Sequence, residues 1–94
     1  MITIYKYNVF EGGDFQLILS KNAKILTVQV QHGHPYIWTL GDTTEETKAR
    51  YFRLIATGCH REMNLCEIKQ YIGTYQLDEG TSVYHLFEIH EKEA

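Results

Sequence analysis

The stretch from Ala23 to Asp42, AKILTVQVQHGHPYIWTLGD, constrains the fold of this chain more than any other. It predicts two β-strands joined at His32-Gly33-His34-Pro35, because apolar and polar residues alternate on both sides of that turn. Alternate side chains of a strand point to opposite faces, so one face is expected to be buried and the other to meet solvent. The first strand should carry Leu26, Val28 and Val30 on one face, and Thr27, Gln29 and Gln31 on the other. The second strand should group Tyr36, Trp38 and Leu40.

Short apolar stretches and turns continue along the whole chain of 94 residues. Further strands are predicted at Ile2–Phe10, Phe15–Ser20, Ala49–Thr57, Tyr71–Leu77 and Val83–His90. Glycine-containing turns are expected at Glu11-Gly12-Gly13-Asp14 and Asp78-Glu79-Gly80-Thr81. About seven strands predict a single all-β domain over residues 1–94, folded as an antiparallel sandwich or partly open barrel. We expect at most one short helical turn, anchored by Leu65 and Ile68, and a frayed polar tail at Glu91–Ala94.

The segment from Asp42 to Gly58 admits two interpretations. Thr43 and Glu46 have the spacing of a capping box, which would open a helix. Against this, the apolar alternation of Phe52, Leu54 and Ala56 with Tyr51, Arg53 and Ile55 is typical of a strand. We favour a loop or single turn at Thr43–Thr47 followed by the fifth strand. Gly73, inside the sixth strand, predicts a bulge or a close approach.

Charge and composition exclude several classes of protein. Nine Lys and Arg stand against twelve Asp and Glu, a net charge of −3 without a basic stripe, so general nucleic-acid binding is not expected. No apolar run approaches the roughly 18 residues of a membrane-spanning helix, and residues 1–20 lack the apolar core of a signal peptide. Cys59 and Cys66 are the two thiols. We therefore expect a cytoplasmic protein that keeps both cysteines reduced and does not bind a membrane.

The histidines and cysteines are the candidate metal-binding and catalytic residues. The spacing of His32, His34, Cys59, His60 and Cys66 does not match a structural zinc site, so turn-flanking histidines and buried thiols are expected, with no metal and no cofactor. The sequence has no P-loop, dinucleotide-binding fingerprint, GxSxG or HExxH motif, and no catalytic residue is assigned.

His85 shares a strand face with Val83 and Phe87. It is expected to be a core or half-buried histidine that is hydrogen-bonded to the backbone, in preference to a catalytic base, because buried polar groups normally find partners.

One group of residues suggests a ligand site: Tyr36, Trp38, Arg50, Arg53 and His34. Aromatic faces stack on bases and guanidinium groups grip phosphate, so these residues would suit a small anionic ligand such as a nucleotide. The competing interpretation is that Trp38 fills the core and that both arginines are solvated.

Four blocks of the sequence stand out together: ITIYKY, AKILTVQVQHGHPYIWTL, FRLIATG, and YIGTYQL followed by VYHLFEIH. Their most specific elements are Gln29, Gln31, Gly33, Pro35 and Trp38, the run Tyr71-Ile72-Gly73-Thr74, and His85 with Phe87-Glu88. Over nearly the whole chain these blocks resemble a family of small uncharacterised bacterial and phage proteins. The resemblance implies a small β-domain, often phage-borne, with no established activity and no catalytic residues to transfer. The family tends to have Gly-His-Pro where this chain has Gly58-Cys59-His60-Arg61, which argues against a function placed on Cys59.

The absence of catalytic motifs and the resemblance together predict a non-enzymatic binding protein of phage or prophage type. Its partner would be a host protein or a small anionic ligand, and its role would be to block a defence protein or sequester a nucleotide signal. The alternatives are a small enzyme that uses Cys59 or a histidine, and a structural protein that assembles through an edge strand.

Self-association is also expected, because so small a domain offers little concave volume of its own. We expect a homodimer or small even-numbered oligomer, with a contact made by Tyr5 and Tyr7 or by Tyr75 and Tyr84.

Overall fold

The computed structural model describes residues 1–91 and confirms an all-β sandwich. Its seven strands are β1 Ile2–Asn8, β2 Asp14–Ser20, β3 Lys24–Gln31, β4 His34–Asp42, β5 Thr47–Ala56, β6 Ile68–Leu77 and β7 Ser82–Ile89. Sheet A has the antiparallel order β1-β4-β3, and sheet B the antiparallel order β2-β5-β7-β6. Short 3-10 turns lie at Leu65–Glu67 and Asp78–Gly80. Beyond Glu91 the predicted tail lies outside the described residues.

The segment after Asp42 forms a loop and a strand, and the helical alternative is wrong. The carboxylate of Asp42 accepts hydrogen bonds from the backbone N–H and the hydroxyl of Thr44, at 2.9 and 2.6 Å. The alternating residues that follow this local turn form β5 from Thr47.

The core lies between the sheets and corrects the expected role of Trp38. Val28 faces Ile37 across the β3–β4 pair, so the buried side of β3 is also the side of Ile37 and Thr39. Ile37 and Thr39 are 0% and 1% exposed. Tyr36, Trp38 and Leu40 do share a face, as predicted, but it is the outer face of sheet A. Trp38 therefore does not fill the core, which consists of Val9, Leu19, Ala23, Val28, Ile37, Phe52, Leu54, Tyr75 and Leu86.

A β-bulge in β3 changes the predicted faces of that strand. Ile25 pairs with Thr39 and Thr27 pairs with Trp38, which leaves Leu26 as an additional residue. The additional residue reverses the alternation, so Ile25 packs against the core and Leu26 is 48% exposed. Thr27, Gln29 and Gln31 keep their predicted outer face.

The sandwich is closed along one side, where β3 meets β6, and open along the other. A Cβ atom on Gly73 of β6 would lie 2.7 Å from Cγ1 of Val28, and the β6–β7 register shifts between Tyr71 and Gly73. Both predictions for Gly73 are thus confirmed. On the opposite side β1 extends past sheet B: Tyr5, directly opposite Thr39, is 44% exposed.

Candidate functional site

The outer face of sheet A carries several exposed apolar side chains, and we call it the open face. It consists of the outward residues of β1, β4 and β3, with Ile2, Ile4, Lys6, Tyr36, Trp38, Leu40, Lys24 and Leu26 as its main members. Ile2 and Ile4 are 65% and 57% exposed. Isolated exposed apolar residues are common, but a group on one sheet face indicates a contact surface.

The centre of the open face is an ordered aromatic and cationic group. The rings of Tyr36 and Trp38 meet edge to face, with centroids 5.9 Å apart. The amine of Lys6 lies 4.4 Å from the centre of the Tyr36 ring and donates a hydrogen bond to Gln31 at 2.9 Å. These contacts hold the side chains in place before any partner binds, which lowers the entropy cost of binding.

The outer face of sheet B is different, because the chain covers its centre, and we call it the closed face. Arg53 lies there on β5 but is only 3% exposed. Its guanidinium donates two hydrogen bonds of 2.8 Å to Asp14 and a longer one of 3.5 Å to Glu67. Met63 lies 3.9 Å from the same guanidinium, so the β5–β6 connection packs over the arginine.

Asp14 joins this network from β2. It also accepts a hydrogen bond from Arg61 of the connection at 3.3 Å. The hydrogen bonds from Arg53, assisted by the charges of both arginines, hold the pKa of Asp14 below its ordinary value. The arrangement therefore attaches the connection to the sheet at neutral pH.

A second arginine, Arg50, is partly buried and points between the sheets. It donates hydrogen bonds of 2.7 and 2.8 Å to the two carboxylate oxygens of Glu88 and another to the carbonyl of Ala23. Burial raises the pKa of Glu88, but the hydrogen bonds and charge of Arg50, with the charge of Lys69, outweigh this and leave it below the ordinary value. Arg50 thus links β5, β7 and the start of β3.

His85 lies on the closed face in a chain of hydroxyl groups. Its Nε2 is 2.6 Å from the hydroxyl of Thr57, and its Nδ1 is 2.9 Å from that of Thr74, which in turn contacts the hydroxyl of Tyr71 at 2.6 Å. The histidine is half-buried, as expected, but its partners are side chains of neighbouring strands and not the backbone.

The structure does not gather the predicted ligand residues into one site. His34, Tyr36 and Trp38 lie on the outer face of sheet A, Arg50 is between the sheets, and Arg53 is on the closed face. Both arginines are held by carboxylates, so the expectation that they are solvated is wrong. Alternation along β5 cannot reveal this, because the partners Asp14, Glu67 and Glu88 come from distant parts of the chain.

A shallow depression of about 450 Å³ lies beside two of the predicted residues, lined by Asn8, Val9, Glu11, His34, Pro35 and Tyr36. It is where His34 and Tyr36 could contact a small molecule. Sequence analysis missed Ile2, Ile4 and Lys6 on the adjoining part of the open face. The available signal was in ITIYKY, which is apolar at the outward positions of a terminal strand.

The remaining candidates separate in space. Cys59 and Cys66 are both exposed, so the expectation of buried thiols is wrong: they lie in the irregular β5–β6 connection, outside the core. Within residues 1–91 no group of three or more His, Cys, Asp and Glu side chains is arranged to hold a metal ion. In the same part of the chain, no helix has the length and hydropathy needed to cross a membrane.

Fold and surface together define a small two-sheet β-domain with one closed and one open outer face. A family model described as "Domain of unknown function (DUF7352)" matches residues 1–94, and the chain belongs to this family. No curated protein and no solved structure matches the chain.

Proposed function

We propose that this chain is a non-enzymatic binding protein that receives a partner protein on the open face. The observation that carries the proposal is the contrast between that face and its counterpart: Ile2, Ile4 and Leu26 are exposed, whereas the β5–β6 connection covers Arg53 on the closed face. Burial of an apolar patch is the main favourable term in most protein association.

The charges on the open face indicate the chemistry of the partner. The chain as a whole is acidic, with a net charge of −3, yet Lys6 and Lys24 lie on this face. The carboxylate of Asp42 on this face already accepts hydrogen bonds from the hydroxyl of Thr44 and from the amine of Met1. An apolar patch with an acidic rim would complement this surface, since opposite charges steer association. A protein partner is favoured over a nucleotide because Arg50 and Arg53 are already paired with carboxylates.

Matched variants test the site. Leu26→Lys places a charge on the open face, and Ile18→Lys does so on β2 of sheet B, at side chains that are 48% and 54% exposed. Immobilised protein is used to capture partners from a lysate of a bacterial host. We expect one captured protein to be retained by wild type and Ile18→Lys and lost by Leu26→Lys. Equal capture by both variants would reject the open face, and a thermal shift produced by a cyclic nucleotide would favour the small-ligand alternative.

A phage or prophage origin, a cytoplasmic location and a role against host defence are further proposals. The origin and the role are supported by the resemblance of the four sequence blocks, not by the geometry of the open face. Deletion of the gene from a phage that carries it, followed by infection of hosts with and without defined defence systems, tests the role. We expect plaque formation to fall only on hosts that carry the opposed system.

The enzymatic alternative now depends on His85 more than on Cys59. The contact of Thr57 with Nε2 of His85 places a hydroxyl beside a base, an arrangement that nucleophilic catalysis can use. His85→Ala separates the two functions. Under the binding proposal the folded variant keeps partner capture and biological activity, and loss of activity with capture intact would favour the enzyme.

A further inference from the structure

We infer that two copies of this chain pair antiparallel through the free edge of β1. Each copy would contribute its sheet A, and the two sheets would join into one continuous sheet of twice the width. The inference concerns the backbone edge and the inward side of β1, and it does not depend on whether the open face binds a protein.

The first observation is that β1 is uncovered on its edge, on its outer face and, at Tyr5, on its inner face, whereas Tyr7 packs against the core. Among residues 1–91 it pairs with β4 alone. Ile2 and Ile4 are exposed on the outer face, and Tyr5 is 44% exposed on the inner face because sheet B does not reach it. An unpaired edge with apolar side chains is a template for another strand.

The second observation is that β1 lacks the devices that normally protect an edge. Its register with β4 is continuous from Ile2 to Asn8, without a bulge or proline. Its charged side chain, Lys6, is drawn over the ring of Tyr36 and bonded to Gln31, toward the middle of the sheet. A lysine that points inward along the sheet does not repel a strand at the edge.

The other edges are less suited to a second copy. β3 carries a bulge and lies against β6, and β6 has two register shifts of its own. β2 is regular, but its inward residues Phe15, Leu17 and Leu19 pack in or against the core. Pairing at β2 would cover Ile18 on the outer face but no exposed inward side chain, whereas pairing at β1 covers Ile2 and Ile4 on the outer face and Tyr5 on the inner one.

The sequence of β1 selects a register. A two-fold axis at Tyr5, the middle residue, pairs every residue of the seven-residue strand with a residue of the second copy. Lys6 then lies opposite Ile4 of the second copy and not opposite its Lys6. Tyr5 then meets Tyr5 of the second copy. Within one copy the rings of Tyr5 and Tyr7 are already 6.2 Å apart, so four tyrosine rings would cluster at the axis.

The mass of the purified protein gives the first test. By light scattering from micromolar to millimolar concentration, we expect the mass to rise toward twice that of the 11.0 kDa chain. A mass of one chain throughout would overturn the inference. Because the sample contains no other protein, this result is independent of the proposed partner.

Charged substitutions at the axis test the register. Tyr5→Lys and Tyr5→Glu each place like charges opposite each other, and each alone is expected to weaken the dimer by about tenfold or more. An equimolar mixture of the two should restore it as a heterodimer. Ile18→Lys, on the free edge of sheet B, should leave it unchanged. Dimers that tolerate both substitutions, or a mixture that fails to restore association, would overturn pairing at Tyr5.

Hydrogen exchange of the wild-type protein covers the case in which a variant does not fold. Amides of β1 that point away from β4 should exchange rapidly in dilute solution and slowly in concentrated solution. A concentration dependence located at β2, β3 or β6, or none at any strand, would contradict the β1 edge.

Discussion

The two outer faces of the sandwich are made from similar strands, yet within residues 1–91 the chain covers the centre of one of them and not of the other. On sheet B, a buried arginine draws Asp14 from β2 and Glu67 from the β5–β6 connection into one network. On sheet A, the cation Lys6 interacts with Tyr36 and Gln31 of the same sheet, and isoleucines beside it remain exposed.

This difference shows why one outer face of a small domain can stay exposed. Covering a sheet face requires a connection long enough to cross it and a polar anchor that is satisfied when buried. The chain provides both on sheet B, between Thr57 and Glu67. Among residues 1–91 no comparable connection crosses the open face, so its apolar side chains stay exposed.

The largest expected effect distinguishes the cations of the two faces. Arg53→Met removes the buried cation that Asp14 and Glu67 share, and we expect the free energy of unfolding to fall by about 3 kcal/mol. Lys6→Met on the open face removes an exposed cation–π contact and a hydrogen bond, with an expected loss of about 1 kcal/mol or less. Urea unfolding of both variants measures the difference. Equal losses would mean that the closed face is not anchored by its arginine.

The close contact between the sheets gives the next effect. In Gly73→Ala, the new Cβ would lie 2.7 Å from Cγ1 of the buried Val28, whose β-branched side chain cannot turn away easily. We expect a loss of about 2 kcal/mol. The variant Gly73→Ala/Val28→Ala supplies the control, because it removes the clashing methyl group. If the losses from Gly73→Ala and Val28→Ala simply add in urea unfolding, the Cβ atom at position 73 does not clash with Val28.

Acid should release the carboxylates that anchor sheet B. The pKa values of Asp14 and Glu88 are lower in the folded chain than in the unfolded one, so their contribution is present above the ordinary carboxyl range, near pH 4. As pH falls through the folded values, the unfolded state binds more protons and this stability is lost. Urea unfolding between pH 7 and pH 3 should show the decline. Glu88→Gln should make the free energy of unfolding depend less steeply on pH, and an unchanged dependence would mean that Glu88 does not contribute to the decline.

The smallest expected effect is a gain. The hydroxyl of Tyr75 is buried in the core without a hydrogen-bond partner among the described residues, and burial raises the pKa of Tyr75 above its ordinary value. Tyr75→Phe removes that unsatisfied group, and we expect the free energy of unfolding to rise by about 1 kcal/mol. A loss in thermal unfolding would show that the hydroxyl has a partner. Because Tyr75 is buried, it cannot be a dimer contact as expected from the sequence.

Local pattern predicted the strands well and their orientation less well. Alternation located the β3–β4 hairpin, and the positive φ of His32 and Gly33 fits its two-residue turn. It could not decide which face of β4 is buried, because Ile37 and Trp38 are both apolar. That choice depends on the pairing of Ile37 with Val28, which only the folded register shows.

The same limit applies to the candidate site. His34, Tyr36 and Trp38 were found because they lie close in sequence, whereas the partners of Arg50 and Arg53 are contributed by remote strands and a connection. Charge alone therefore suggested a phosphate site where the fold forms internal ion pairs. The exposed isoleucines of β1 also needed the structure, because the register with β4 decides that Ile2 and Ile4 point outward.

The solvent access of isoleucine methyl groups shows whether the chain covers the centre of the sheet B face and leaves the sheet A face exposed. A soluble paramagnetic agent broadens the NMR signals of methyl groups according to their access to solvent. In dilute protein we expect strong broadening for Ile2 and Ile4 of the open face. Ile89 of the closed face should broaden as little as Ile37 of the core. The exposed fraction is 6% for Ile89 and 57% for Ile4. Equal broadening of Ile89 and Ile4, or an Ile4 as protected as Ile37, would contradict the account.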